Sequence, residues 1–121
     1  MQREKCPCCG YPTLEERGNF EICKLCNWED DGQDDPYADE VWGGPNGDYS
    51  LTEARKNFKE NLICYRDKGN ILSQTNEEIK TKKALISAFV ELDKYKTDSL
   101  ESKALWNKIR SYEKTLLKPS S

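Results

Sequence analysis

Apolar residues recur at helical spacing only in the second half of the chain. After Ser50, the residues Leu51, Ala54, Phe58, Leu62 and Tyr65 fall on one face of a 3.6-residue period. Ser50 and Glu53 form an S-x-x-E capping box that sets the start of this helix, and Gly69 predicts its end. Thr75 and Glu78 make a second box, opening a helix with Ile79, Ile86, Phe89 and Val90 toward one side. Asp98 and Glu101 begin a third, which carries Leu105, Ile109, Tyr112 and Leu116. Such stripes predict ordinary helix packing. The first half has a different pattern. Thr13–Glu15 and Phe20–Ile22 read as two short strands of a hairpin turning through Arg17-Gly18-Asn19. Residues 29–49 are acidic and rich in turn formers, with two Pro and four Gly, and predict a long loop. No internal repeat and no low-complexity linker stands out.

Composition narrows this reading. Of 121 residues, 36% are hydrophobic and 34% charged, so the chain buries only a modest core and gains from a metal or a partner surface. Three Trp, six Tyr and three Phe separate it from disordered chains. Its net charge of -3 is unevenly spread. Residues 1–60 carry 7 Lys/Arg against 14 Asp/Glu, and residues 61–121 carry 12 against 8. The acidic half repels a phosphate backbone and suits a basic protein partner; the plainer alternative is that these acids keep a small domain in solution. MQREKCPCC has no apolar segment of the kind a signal peptide needs, and no run approaches a transmembrane helix. These features predict a cytoplasmic protein with reduced thiols, in which six cysteines read as metal ligands before disulfides.

The ligands come as Cys6-Pro7-Cys8-Cys9-Gly10 and Cys23-Lys24-Leu25-Cys26. Each C-x-x-C places two sulfurs on one tight turn, and two such pairs predict a closed site for one structural Zn²⁺ held by Cys6, Cys9, Cys23 and Cys26. The absence of histidine excludes a mixed Cys/His site. Iron in the same four-sulfur cage is chemically permitted. A thioredoxin-like redox pair needs a single C-x-x-C in a βαβ setting, which is missing. Cys8 would be a ligand only by shortening the first spacing to C-x-C, and Gly10 directly after Cys9 is what a metal knuckle wants, so Cys8 reads as a non-ligand thiol. Cys64, on the first helix, reads as a buried small hydrophobe. Trp28 is placed to lie over the hairpin as a lid, and Asn46 to cap a turn or tie its loop back to the ribbon.

The sum is a small α+β fold: an N-terminal four-cysteine zinc ribbon, a β-hairpin with two knuckles, followed by an acidic loop and about three α-helices. The expected division is 1–68 for the ribbon, loop and first helix, and 69–121 for a helical region packed on it. Catalysis is disfavoured. Four cysteines close the metal shell, and there is no histidine base, nucleophile elbow or phosphate-cradling loop. The carboxylates of residues 29–35 lack EF-hand spacing and read as a solvated loop.

CPCCG near the N-terminus, then EICKLCNWEDD, then GGPNGDYSLTEARKNF, resembles the bacterial cysteine-rich CPCC family over roughly residues 5–62. That resemblance implies a zinc-ribbon module. Members often lie near polymorphic toxin genes, which implies an immunity protein that neutralises a cognate toxin domain. Many such toxins are nucleases with basic clefts. Residues 29–40 hold seven acids and no base, and Asp30, Asp31, Asp34 and Asp35, with Tyr37 and Trp42 as anchors, form the expected partner-binding segment. The competing reading is a nucleic-acid-binding zinc ribbon, for which the tail offers only the cluster Lys80, Lys82 and Lys83.

Overall fold

The computed structural model describes residues 3–117. Strands β1 (Glu4–Lys5) and β2 (Pro12–Leu14) pair antiparallel and are followed by helices α1 (Leu51–Asn61), α2 (Lys68–Ser73), α3 (Asn76–Leu92) and α4 (Leu100–Leu117). The fold is thus small α+β, with the four cysteines gathered near the N-terminal hairpin. The chain divides into two compact units, one ending at Gln74 and the other running from Thr75 onward.

The first unit is organised by short ladders. The strands expected at Thr13–Glu15 and Phe20–Ile22 do not pair with each other. Thr13 and Leu14 belong to β2, which pairs with β1 across the first cysteine turn. Phe20 and Ile22 pair forward, across the second turn: Phe20 N–H donates to Asp30 O at 2.8 Å, and Ile22 bridges Glu29. Each cysteine turn is therefore the tip of its own hairpin. The physical cause lies in the turns, because each knuckle reverses the chain within six residues and brings its own flanks into register.

Between them sits Arg17, read in the sequence as a turn residue and as one of the ribbon's few bases. Its guanidinium donates to Asp30 Oδ2 (2.9 Å), Asp34 Oδ2 (2.7 Å) and Gln33 O (3.1 Å). The acidic segment is ordered around buried polar side chains. Gln33, fully buried, donates its amide to the carbonyls of Tyr37 and Glu40. Asn46 exchanges two hydrogen bonds with the backbone of Glu29, tying the Gly-Pro-Asn turn to the second knuckle. Trp28 is 1% exposed and sits with Leu14, Leu25, Leu51, Ala54 and Phe58 in the core.

Helix α1 starts where the capping box sets it, with Ser50 Oγ accepting from Glu53 N–H at 3.1 Å. It ends earlier than predicted, at Asn61. Leu62 takes a left-handed conformation (φ 62°) as the C-cap, and the chain leaves the helix to bury Ile63 and Cys64. Cys64 N–H donates to Cys26 O, and Asn57 caps Cys64 O. That tertiary burial overrides the helical stripe through Tyr65. Gly69 lies inside α2, whose N-cap is Asp67.

In the second unit, Thr75 caps α3 as predicted. Ser99, one residue past the expected Asp98, caps α4. α3 and α4 pack through Leu85, Ala88, Phe89, Trp106 and Ile109, with the Phe89 and Trp106 rings edge to face at 6.4 Å. Val90, expected on the packed side, is exposed, and the face is set by Leu85 and Phe89 instead.

Candidate metal centre

Both knuckles are built from one backbone pattern. Cys6 N–H donates to Tyr11 O, and Gly10 N–H donates to Cys6 O. Seventeen positions on, Cys23 N–H donates to Trp28 O, and Asn27 N–H donates to Cys23 O. Gly10 and Asn27 both have positive φ, 82° and 73°. The motif is thus Cys-x-x-Cys-(Gly or Asn)-aromatic, used twice, a repeat that the sequence reading missed because only the cysteines are identical in the two copies. Gly and Asn are interchangeable there because both tolerate the left-handed region.

The two turns bring Cys6, Cys9, Cys23 and Cys26 together, with all four sulfurs within 4.8 Å of one another. Cys6 Sγ lies 3.7 Å from Cys26 Sγ, and Cys9 Sγ 3.8 Å from Cys23 Sγ. The close pairs therefore join one knuckle to the other. A tetrahedral ion with metal–sulfur bonds of roughly 2.3 Å has sulfur–sulfur edges of about 3.8 Å. The cage fits a single ion of that kind, and it is too small for a cluster with its own bridging sulfides. Three of the four cysteines are buried and Cys9 is half-buried.

Cys23 is the best supplied with donors. Thr13 Oγ1 lies 3.0 Å from its sulfur, and the N–H groups of Leu25 and Cys26 point at it from 3.4 and 3.5 Å. Burial pushes the Cys23 thiol up, but hydrogen bonds from Cys26, Cys6, Cys9 and Thr13 outweigh it and hold the thiol well below its ordinary value. Cys9 is pushed up, chiefly by its bond to Cys23, and Cys26 is pushed up by its burial. A dication would reverse the last two, since coordination deprotonates a thiol outright. Thr13 is the residue that sequence reasoning missed; an alternating strand does not reveal which polar side chain faces a sulfur.

Cys8 and Cys64 are buried but lie outside the four-sulfur set. Burial raises the Cys64 thiol strongly.

The expected partner-binding residues separate into two kinds. Asp30 is 0% exposed and serves the interior: its carboxylate accepts from Arg17 Nε, Gly18 N–H (2.6 Å) and Gly32 N–H (3.1 Å). It offers no surface to a partner. Asp34 is paired with Arg17, Asp35 with Arg55, and Asp31 accepts from Gln33 N–H. The four aspartates are thus bonded within the chain, where the bare sequence shows only a run of negative charge. Tyr37 and Trp42 are exposed, with ring centroids 5.7 Å apart. Of the lysines in the tail cluster, Lys82 is buried rather than displayed, so Lys80, Lys82 and Lys83 do not form one surface. Among the described residues, no helix is long and apolar enough to cross a membrane.

The sequence matches the family described as "Cysteine-rich CPCC" over residues 4–78, well over half of the chain. No curated protein and no solved structure matched it.

Proposed function

The chain belongs to the cysteine-rich CPCC family, and from that premise and the cage geometry we propose a non-catalytic module, held by one structural zinc, whose work is to bind another protein. The observation that carries this reading is the four-sulfur cage. Cys6, Cys9, Cys23 and Cys26 would hold the ion, which then supplies folding energy and no open coordination position for a substrate. Zinc is the proposed ion because four thiolates in a closed tetrahedral cage are the usual donor set of a structural zinc site.

The partner class rests on the acidic first half and on the resemblance to proteins encoded beside toxins. A toxin domain with a basic cleft is the proposed partner, and neutralising it the proposed role, in the cytoplasm. A nucleic-acid role draws less support, given the acidic ribbon and the burial of Lys82.

Two measurements test the proposal. Metal analysis of the purified protein should give about one zinc per chain, and Cys23→Ser should lose it; full occupancy in that variant sinks the site. Cells producing the protein should survive expression of the toxin domain encoded beside it. Failure to survive discards the toxin role while leaving the metal assignment standing.

A further inference from the structure

The segment from Asp35 to Trp42 holds its backbone unusually firmly for a surface loop. Asp34 caps a single 3-10 turn over Asp35–Tyr37. The buried Gln33 amide grips the carbonyls of Tyr37 (3.0 Å) and Glu40 (2.7 Å) from inside. Thr52 N–H donates to Ala38 O, Thr52 Oγ1 donates to Asp39 Oδ1, and Val41 bridges Ser50. Ala38 faces inward and is buried.

Everything large on this frame points outward. Tyr37 is 49% exposed, Val41 56% and Trp42 44%. The Tyr37 and Trp42 rings meet at 49°, a tilted pair and not a flat stack. Glu40 Oε1 accepts from Trp42 Nε1–H at 3.2 Å, which fixes the indole and keeps a carboxylate at its edge. Isolated exposed apolar residues are common, but three within six positions on a pinned backbone form a patch.

Charge selects the occupant. The exposed acids of the segment are Asp35, Asp39 and Glu40, and among the described residues the cation bonded to them is Arg55, held by Asp35 and by Pro7 O. Among the described residues, Asp39 and Glu40 bond neutral donors, Thr52 and the Trp42 indole, so their charge is not paired there. Two tilted aromatic faces rimmed by carboxylates attract a cation through the ring quadrupole and by direct charge. A guanidinium fits better than an ammonium, because it is planar, stacks on rings, and donates to carboxylates while doing so. We propose that Tyr37 and Trp42, with Glu40 and Asp39 at the rim, form a docking notch for an arginine side chain presented by a basic protein partner. This rests on the protein-binding reading above and supplies its contact chemistry. The pinned backbone means that little order is lost on binding.

The test uses the zinc-loaded full chain and a capped tetra-arginine peptide, with tetra-citrulline and tetra-lysine peptides as controls. Binding is followed by amide and indole chemical shifts and by calorimetry. Tetra-arginine should shift the Trp42 indole N–H and the amides of residues 37–42 saturably, with tetra-lysine weaker and tetra-citrulline at least about tenfold weaker, since it keeps the shape and loses the charge. Trp42→Ala, checked for unchanged zinc content, should weaken binding about fivefold or more. Glu40→Gln should weaken it less and flatten its salt dependence. Equal affinity for tetra-citrulline, unchanged affinity in Trp42→Ala, or shifts confined to other acidic residues would each overturn the notch. Shifts of the same resonances with protein concentration alone would overturn it in favour of a second copy of the chain. Arginine binding at Trp42 without protection from a toxin supports the notch and discards the toxin role. Protection that survives Trp42→Ala supports the toxin role and discards the notch.

Discussion

Replacing Asp30 by Asn should do far more damage than an isosteric change in an acidic loop suggests. Oδ2 of Asp30 accepts from both Arg17 Nε (2.9 Å) and Gly18 N–H (2.6 Å), and Oδ1 from Gly32 N–H (3.1 Å). Every partner is a donor. An amide keeps one oxygen, so in either orientation its NH₂ faces at least one of them. With the oxygen toward Arg17 and Gly18, the bond to Gly32 is lost and two donors meet in a fully buried place. One unmet buried donor costs about 1–3 kcal/mol, and the bond to Arg17 loses its charge-assisted part, roughly another 1 kcal/mol. The total is about 2–4 kcal/mol, near the range for breaking a buried ion pair. For a unit of this size, that lowers the melting temperature by on the order of 10–25 °C. The assay is thermal unfolding of zinc-loaded protein, followed by tryptophan fluorescence and by zinc release to a colorimetric chelator. Asp31→Asn is the control. Asp31 is only half-buried and its main acceptor bond, to Gln33 N–H, survives in an amide, so its loss should stay under about 1 kcal/mol. If Asp30→Asn melts within a few degrees of both the parent and Asp31→Asn, the claim that this carboxylate organises the segment is wrong.

Asn27→Gly should leave zinc affinity unchanged or slightly improved, because the residue has φ 73°; Asn27→Val should cost about 1–2 kcal/mol, read as a roughly tenfold loss in chelator competition. The Asp34 carboxyl is held below its ordinary value by its hydrogen bond from Arg17 and then by Asp35 N–H. A depressed folded-state pKa gives stability that is present above the ordinary carboxylate value of about 3.9 and lost as pH falls through the lower one. The stability gap between the parent and Asp34→Asn should therefore be full at neutral pH and close in acid, which urea titrations at a series of pH values would measure.

The gathering of the four cysteines was legible because its signal is local: each pair lies within one turn, and no histidine competes. The caps at Ser50 and Thr75 were legible for the same reason, since a hydroxyl and an N–H three residues on need nothing from the rest of the fold. What failed was long-range. Leu62 and Tyr65 continue the stripe of α1 on paper, yet burial of Ile63 and Cys64 ends the helix early without a glycine. The acids from Glu29 to Glu40 read as one charged surface. Their division into a buried Asp30, aspartates bonded within the chain and a rim at Asp39 and Glu40 depends on Arg17 and Arg55, which come from distant parts of the chain. The hairpin was misplaced because alternation identifies strands but does not choose their partners.

The doubled knuckle also sets the order in which the protein would acquire the proposed zinc. Within each knuckle the two sulfurs are three residues apart, whereas Cys9 and Cys23 are separated by 14. Loop-closure entropy rises as the logarithm of span, so joining the knuckles costs about 1.4 kcal/mol more than closing either, roughly a tenfold penalty. An unfolded chain should thus chelate first through one local pair and only afterwards fold the second pair onto it. The close contacts, Cys6 to Cys26 and Cys9 to Cys23, both cross between knuckles, so the half-loaded chain has none of them. Metal capture and the folding of this unit would then be a single ratchet whose second step is the committed one, and a cellular buffer that competes well for a two-sulfur complex would delay folding without weakening the finished site.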